Sequence, residues 1–179
     1  KQVLVSIMAG TTTANILAIL GKQSKIIRIM PNICVKVGEG AIGLCANPFV
    51  DPKEVGEVKK LFSSMGKVVD LGEDLMDAVT AIGGSGPAFV LHFLEAMIDG
   101  GVSMGLPRDK SRVLAAQVLK GTIKMLEEEN MHPTLMKEMV TSPGGTTIAG
   151  LTVLEDRAVK GSVMRALQEA CKRSRELSQ

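Results

Sequence analysis

The sequence predicts an α/β protein: a parallel sheet with its helices over residues 1–72, then an all-helical half over residues 73–179. Two observations predict it. Between Val3 and Met30 a β-branched run, a run of helical period and a second β-branched run follow one another. That order is a βαβ unit, and its crossover helix requires the two strands to lie parallel. From Glu73 onward no strand-like alternation remains, and apolar residues recur at helical spacing between glycine and proline breaks.

The elements follow in order. Val3–Ile7 is a short buried strand that turns at Ala9–Gly10. Thr11–Leu20 carries Ile16, Leu17, Ile19 and Leu20 on a helix that threonines can cap and Gly21 ends. Lys25–Met30 is the second strand, stopped by Pro31, and Ala41–Ala46 is a third. Asp51–Met65 is an amphipathic helix with Val55, Val58, Leu61 and Phe62 on one face; after Gly66, Lys67–Leu71 returns as a strand. The helical half reads as Asp74–Ile82, Gly86–Met104, Pro107–Glu128, Pro133–Val140, Thr147–Leu154 and Ala158–Leu177. Pro87 sits in a first turn, where its missing N–H does no harm, and Ser85 is placed to cap that helix. The helix Gly86–Met104 is apolar almost all round (Phe89, Val90, Leu91, Phe93, Leu94, Met97, Ile98, Val102), so it calls for cover from a second subunit. Lys172, Arg173 and Arg175 read as a solvated helix end that complements the macrodipole.

Composition removes several function classes. A net charge of +2 offers no field for nucleic acid or a membrane surface. Aromatic residues make up 2% with no Trp or Tyr, so no base-stacking platform is available. Cys34, Cys45 and Cys171 are odd in number and widely spaced, which suits reduced, cytoplasmic thiols better than a disulfide framework or a zinc site. His92 and His132 stand far apart, and Asp74, Asp77, Glu95 and Asp99 form no obvious carboxylate pair, so no metal is expected. No uninterrupted apolar run reaches the roughly 18 residues that span a bilayer. The chain opens at Lys1 directly on a strand pattern, which suggests that further residues precede it.

Five stretches bear on chemistry. Gly38-Glu39-Gly40-Ala41-Ile42-Gly43 matches G-x-G-x-x-G literally, but a strand occupies the place where a helix must open, so it is read as a turn and rejected as a dinucleotide fingerprint. Ala9–Gly10 and Met30-Pro31-Asn32 lie past the carboxyl ends of adjacent parallel strands, the edge at which open α/β sheets bind ligands. Ile82–Ala88, IGGSGPA, brings backbone close to a neighbour and reads first as packing. In Thr141–Gly150, TSPGGTTIAG, Pro143, Gly144 and Gly145 break one helix and Thr146 or Thr147 can cap the next. This is either a tight elbow or a cradle whose free N–H groups take an anion.

Taken together, VSIMAGTT, IIRIMPN, EDLMDAVTAIGGSGPAFV, DGGVSMGLPRDKS and MKEMVTSPGGTTIAGLTVLE resemble Δ1-pyrroline-5-carboxylate reductase over the whole chain, with Met136 in a Leu position. The resemblance implies a Rossmann-like sheet whose N-terminal strand, glycine loop and helix lie outside this chain, and an all-helical dimerisation domain. It implies reduction of 1-pyrroline-5-carboxylate to L-proline with NADPH (NADH possible), the last step of proline biosynthesis. It implies self-association as a homodimer or a ring of dimers, and neither nucleic acid nor membrane as partner. By the same resemblance Ser142, Gly144, Gly145 and Thr146 hold the substrate carboxylate, and Thr147 bonds the ring nitrogen as the catalytic residue. Met8, Ala9 and Gly10 line the nicotinamide, with Asn32 on the cofactor side. Ile33-Cys34 replaces the usual Thr-Pro, and Met139 a frequent Asn; both departures touch the cofactor and leave the substrate loop intact. The rival expectation is a truncated, non-catalytic dimerisation module.

Overall fold

The computed structural model describes residues 2–21 and 23–177. Strand β1 (Val3–Ser6), helix α1 (Thr13–Leu20) and strand β2 (Lys25–Met30) form the expected βαβ unit, with β1 and β2 parallel. Strand β3 (Gly40–Ala46), helix α2 (Pro52–Ser63) and strand β4 (Gly66–Asp70) repeat the pattern, again parallel. The four-stranded sheet runs β1-β2-β3-β4, and β3 enters antiparallel to β2. The reason is the link between them: only a short 3₁₀ helix, Ile33–Val37, joins β2 to β3, and a parallel return needs a full crossover helix. The α/β class with a following helical half therefore stands, on a mixed sheet.

Because strand side chains alternate, β2 buries two rows. Ile27 and Ile29 join Ile42 and Leu44 of β3 in a core covered by Val55, Val58 and Phe62 of α2. Each such isoleucine contributes about 1.5–3 kcal/mol by leaving water. The opposite row places Ile26, fully buried, and Arg28, 2% exposed, beside Ser6 of β1 and Cys45 of β3. At the start of β2, Lys25 Nζ lies 2.8 Å from Asp51 Oδ2 and from both carboxylate oxygens of Glu54. Asp51 and Glu54 also form the capping box that opens α2, so one cation ties strand start to helix start.

After β4 the chain becomes helical. A 3₁₀ turn (Glu73–Leu75), α3 (Met76–Val79), a π-turn (Thr80–Gly84) and α4 (Gly86–Ser103) run on as a single helical stretch, Glu73–Ser103. The expected break at Ile82–Ala88 does not occur, and Ser85 is not an N-cap: its N–H donates to Thr80 O inside the π-turn. The glycines act in packing, as that motif suggests. A Cβ on Gly84 would lie 3.2 Å from Met30 Cε, and Gly83 O accepts from Asn32 Nδ2 at 2.9 Å. On the sheet, Gly43 leaves room for Val79, whose Cγ1 would sit 2.5 Å from a Cβ there. By length and composition Glu73–Ser103 is also a helix that could cross a bilayer, although Asp77, Glu95 and Asp99 interrupt its apolar run.

The remaining helices are α5 (Arg108–Glu128), α6 (Pro133–Met139), α7 (Thr146–Asp156) and α8 (Val159–Leu177). The chain forms two compact units, one of Lys1–Ala88 with Met164–Gln179 and one of Phe89–Val163. In the first, Asp77 of α3 accepts from Ser174 of α8 at 2.6 Å. In the second, α4 and α5 cross closely at Gly101: the buried Ser111 hydroxyl donates to Ile98 O at 2.8 Å and fills the space a side chain on Gly101 would need. Arg108 and Asp99 pair on the surface of that crossing.

Candidate functional site

The loop before α7 is the more specific of two candidate ligand features, each described within its own compact unit. Gly144 has φ +66°, a left-handed conformation that glycine adopts without strain, and Gly145 is the N-cap of α7. No side chain caps this end, so neither Thr146 nor Thr147 takes the capping role their hydroxyls suggested. The N–H groups of Thr146, Thr147 and Ile148 in the first turn are thereby left facing outward without an internal acceptor. Gly145 N–H donates to Ser142 O at 3.1 Å, which closes the turn. Ser142 Oγ lies 2.3 Å from where a Cβ on Gly145 would be, so the missing side chain admits the hydroxyl to the helix start. One hydroxyl and a row of N–H groups at the positive end of a helix make an anion cradle.

A separate candidate lies within the other compact unit, past the carboxyl ends of β1 and β2. Ala9 and Gly10, the latter at φ +71°, turn the chain from β1 to α1. They line a cavity of about 230 Å³ with Thr80 of the π-turn, Ser85 just after it, and Arg173 and Ser174 of α8. The Met8 side chain is 53% exposed, and its N–H is 3.4 Å from Ser6 Oγ. Asn32 has most of its side chain engaged: Oδ1 accepts from Cys34 and Ala41, and Nδ2 donates to Gly83. What Asn32 offers a ligand is its position on this edge and one remaining amide hydrogen.

A larger cavity, about 370 Å³, lies between the β3–β4 face and the helical stretch, with Ala41, Gly43, Val69, Leu71, Val79 and Ile82 on its walls. It has the volume of a ligand site, but Lys67 is the one charged side chain on its otherwise apolar walls, so it offers little to orient a reacting molecule. The G-x-G-x-x-G match has no such role either: Gly38 ends the 3₁₀ helix, and Gly40 and Gly43 lie inside β3.

No motif pointed to the charged cluster beneath the Ala9–Gly10 loop. Glu73 accepts from the Thr13 N–H at 2.6 Å and from the Thr13 hydroxyl at 2.5 Å, while Arg28 Nη1 stands 3.6 Å from Glu73 Oε1. Its sequence signal was available: an arginine inside an apolar strand, KIIRIM, demands a carboxylate partner when that strand is buried on both faces. Beside it burial, reinforced by the Glu73 charge, pushes the Cys45 thiol up to about 11, so it stays protonated.

A family model described as pyrroline-5-carboxylate reductase dimerisation matches residues 73–177. The chain belongs to the pyrroline-5-carboxylate reductase family. It is 43% identical over 177 residues to the pyrroline-5-carboxylate reductase of Synechocystis, covering 99% of this chain and 66% of the relative. It is 44% identical over 179 residues to that of Kluyveromyces lactis, covering 100% and 62%. The chain thus spans a little under two thirds of these relatives' length. Among solved structures of the family, the Plasmodium falciparum pyrroline carboxylate reductase with NADP bound superposes with a TM-score of 0.93 at 36% identity, covering 99% of this chain and 72% of that one. The Coxiella burnetii enzyme gives a TM-score of 0.95 at 34% identity, covering 99% and 66%.

Proposed function

We propose that this chain is the substrate-binding and dimerisation part of an NADPH-dependent reductase (NADH possible) that converts 1-pyrroline-5-carboxylate to L-proline. The observation that carries the reading is the uncapped N-terminus of α7 with Ser142 lodged against Gly145, inside a family whose named members are such reductases. On this reading Ser142 and the orphan N–H of Thr146 hold the carboxylate, favoured by the helix dipole, while Gly144 and Gly145 shape the turn that presents them. Thr147 orients the ring nitrogen. Its hydroxyl is too weak an acid to be the primary proton source, so the iminium form of the substrate brings its own proton. NADPH, when bound, supplies the hydride that the imine carbon accepts, as the C=N π pair moves onto the protonated nitrogen. Met8, Ala9, Gly10 and Asn32 make the nicotinamide side of the pocket, and Ala9 and Gly10 suit it because their backbone is not screened by long side chains. The site acts mainly by positioning.

The same reading takes residues 1–72 as part of a dinucleotide domain and 73–179 as the substrate and dimerisation domain. It takes the protein as a cytoplasmic homodimer or ring of dimers, which the three free cysteines and the family's dimerisation segment support. A second reading is that the chain by itself is a non-catalytic dimerisation module, which the placement of Gly40 and Gly43 inside β3 favours: no described glycine loop cradles a pyrophosphate. One experiment separates them. Protein made from the complete coding sequence, given pyrroline-5-carboxylate and NADPH, loses absorbance at the nicotinamide band, whereas a flat trace removes the reductase reading. NADP titrated into the 179-residue chain alone shows whether that chain has the second character.

A further inference from the structure

The loop from Ile7 to Thr12 carries the residues assigned to the nicotinamide, yet little of its own chemistry fixes it. Ile7 and Met8 are 60% and 53% exposed, and Ala9 and Gly10 offer no side chain to anchor. Its two ends, however, rest on one buried polar row. At the β1 end Ser6, 5% exposed, reaches back with its hydroxyl toward the Met8 N–H. At the α1 end Thr13, 7% exposed, is gripped through both its N–H and its hydroxyl by the two carboxylate oxygens of Glu73. Ser6 pairs in register with Arg28, whose Nη1 faces Glu73. Thr12 already caps α1 by accepting from Asn15 N–H, so the Glu73 contact is a second tether, brought from 60 residues away.

We propose that Glu73 is a positioning residue: through Thr13, and with Arg28 as its counter-charge, it holds the Ile7–Thr12 loop in the geometry that receives the nicotinamide. The inference rests on the reading that Met8, Ala9 and Gly10 line the cofactor. Three features of the cluster favour this role over plain stability. The contact falls at the first residue of α1, directly after the loop, and not at the helix middle. Arg28 Nε and Nη2 are buried with no acceptor among the described residues, so a better-satisfied pair would serve stability more fully. The carboxylate also lies at the start of the helical stretch that supplies Thr80 and Ser85 to the cavity beside Gly10. One side chain therefore joins the first residue of α1, strand β2 and the start of the helical stretch.

The test uses protein from the complete coding sequence, with steady-state kinetics and NADPH titration followed by nicotinamide fluorescence. Thr13→Val removes one hydrogen bond, keeps the side-chain volume and leaves the Arg28–Glu73 pair in place. It is expected to raise KM for NADPH by about tenfold, as loss of a bond to a charged group does, with KM for the imine held within about twofold. Thr13→Ser restores the hydroxyl and is expected to restore the parent KM. Glu73→Gln keeps an acceptor but removes the counter-charge, and is expected to weaken NADPH binding further. Because it leaves Arg28 buried without its carboxylate, folding is checked by circular dichroism, and Thr13→Val decides if Glu73→Gln does not fold. A folded Thr13→Val whose KM for NADPH stays within about twofold of the parent overturns the proposal, as does an equal rise in both KM values. A parent protein that binds no dinucleotide overturns the underlying reading as well, so the two failures are told apart by the parent alone.

Discussion

Gly145 is the residue on which the anion cradle turns. A side chain there would meet the Ser142 hydroxyl at 2.3 Å and push it away from the start of α7. Thr147, two residues on, is partly buried in the first turn and is not needed to cap it, so its hydroxyl is free for a ligand. Thr147→Ala is therefore expected to lower kcat by about tenfold or more, the loss of one oriented hydrogen bond, while far-UV circular dichroism stays unchanged. A parent-like rate would remove Thr147 from the mechanism. The proposed carboxylate cradle is contiguous in the sequence: Pro143, Gly144 and Gly145 announce the break, and the residues proposed to bind follow at once. The Glu73–Thr13 tether was not legible there, since it joins residues 60 apart and neither is unusual locally. Only Arg28, stranded in KIIRIM, hinted that a carboxylate had to come from elsewhere.

Elements were readable to the extent that their signals are local. Lys25–Met30 has the bounds its pattern gives, because Pro31 stops the ladder and β-branched residues fill it. The direction of β3 has no local signal; it follows from the short 3₁₀ link, visible only once the helix Ile33–Val37 is known. Likewise, three glycines and a serine read as a break, yet the π-turn carries the helix through because Gly83 and Gly84 pack against the sheet. Packing overrode propensity there. The joint between β2 and α2 makes a prediction at this scale. Lys25 holds Asp51 and Glu54 below the usual carboxylate range through hydrogen bonds, and they in turn raise the Lys25 ammonium. A lowered carboxylate pKa gives stability that is present above the unfolded value and lost as pH falls through the folded one. The stability difference between parent and Lys25→Met, measured by urea unfolding, should therefore shrink as pH drops below about 4. The raised ammonium acts oppositely: its share persists below the unfolded lysine value and fades as pH rises above about 10.5. A difference that stays constant between neutral pH and pH ~3 would show that the Lys25 cluster adds nothing through charge.

At the scale of the whole molecule, the apolar surface left uncovered is the dominant feature. On α4, Val90, Leu91 and Phe93 are 57%, 62% and 44% exposed, and only Gly101 of that helix is buried. On α5, Val113, Leu114, Val118 and Ile123 are all more than half exposed. Monomers in water seldom leave contiguous apolar faces of this kind open. Two environments could cover them. A bilayer would suit the length and composition of Glu73–Ser103, but α5 carries its apolar residues beside Arg108, Lys110, Arg112, Lys120 and Lys124, which hydrocarbon does not tolerate. A second copy of the same helices would cover the apolar stripes and leave those charges at the rim, and the segment that matches the dimerisation family contains both helices. The proposed dimer is thus the cover that the sequence already asked for around Gly86–Met104. Light scattering on the 179-residue chain should give twice the monomer mass of 19.0 kDa or a higher multiple. Leu91→Glu, which sets a carboxylate into the apolar face, should shift the mass towards the monomer, because an unpaired buried charge costs several kcal/mol. A parent chain that runs as a monomer at micromolar concentration would refute this account of α4. An assembly indifferent to Leu91→Glu would move the interface to another face.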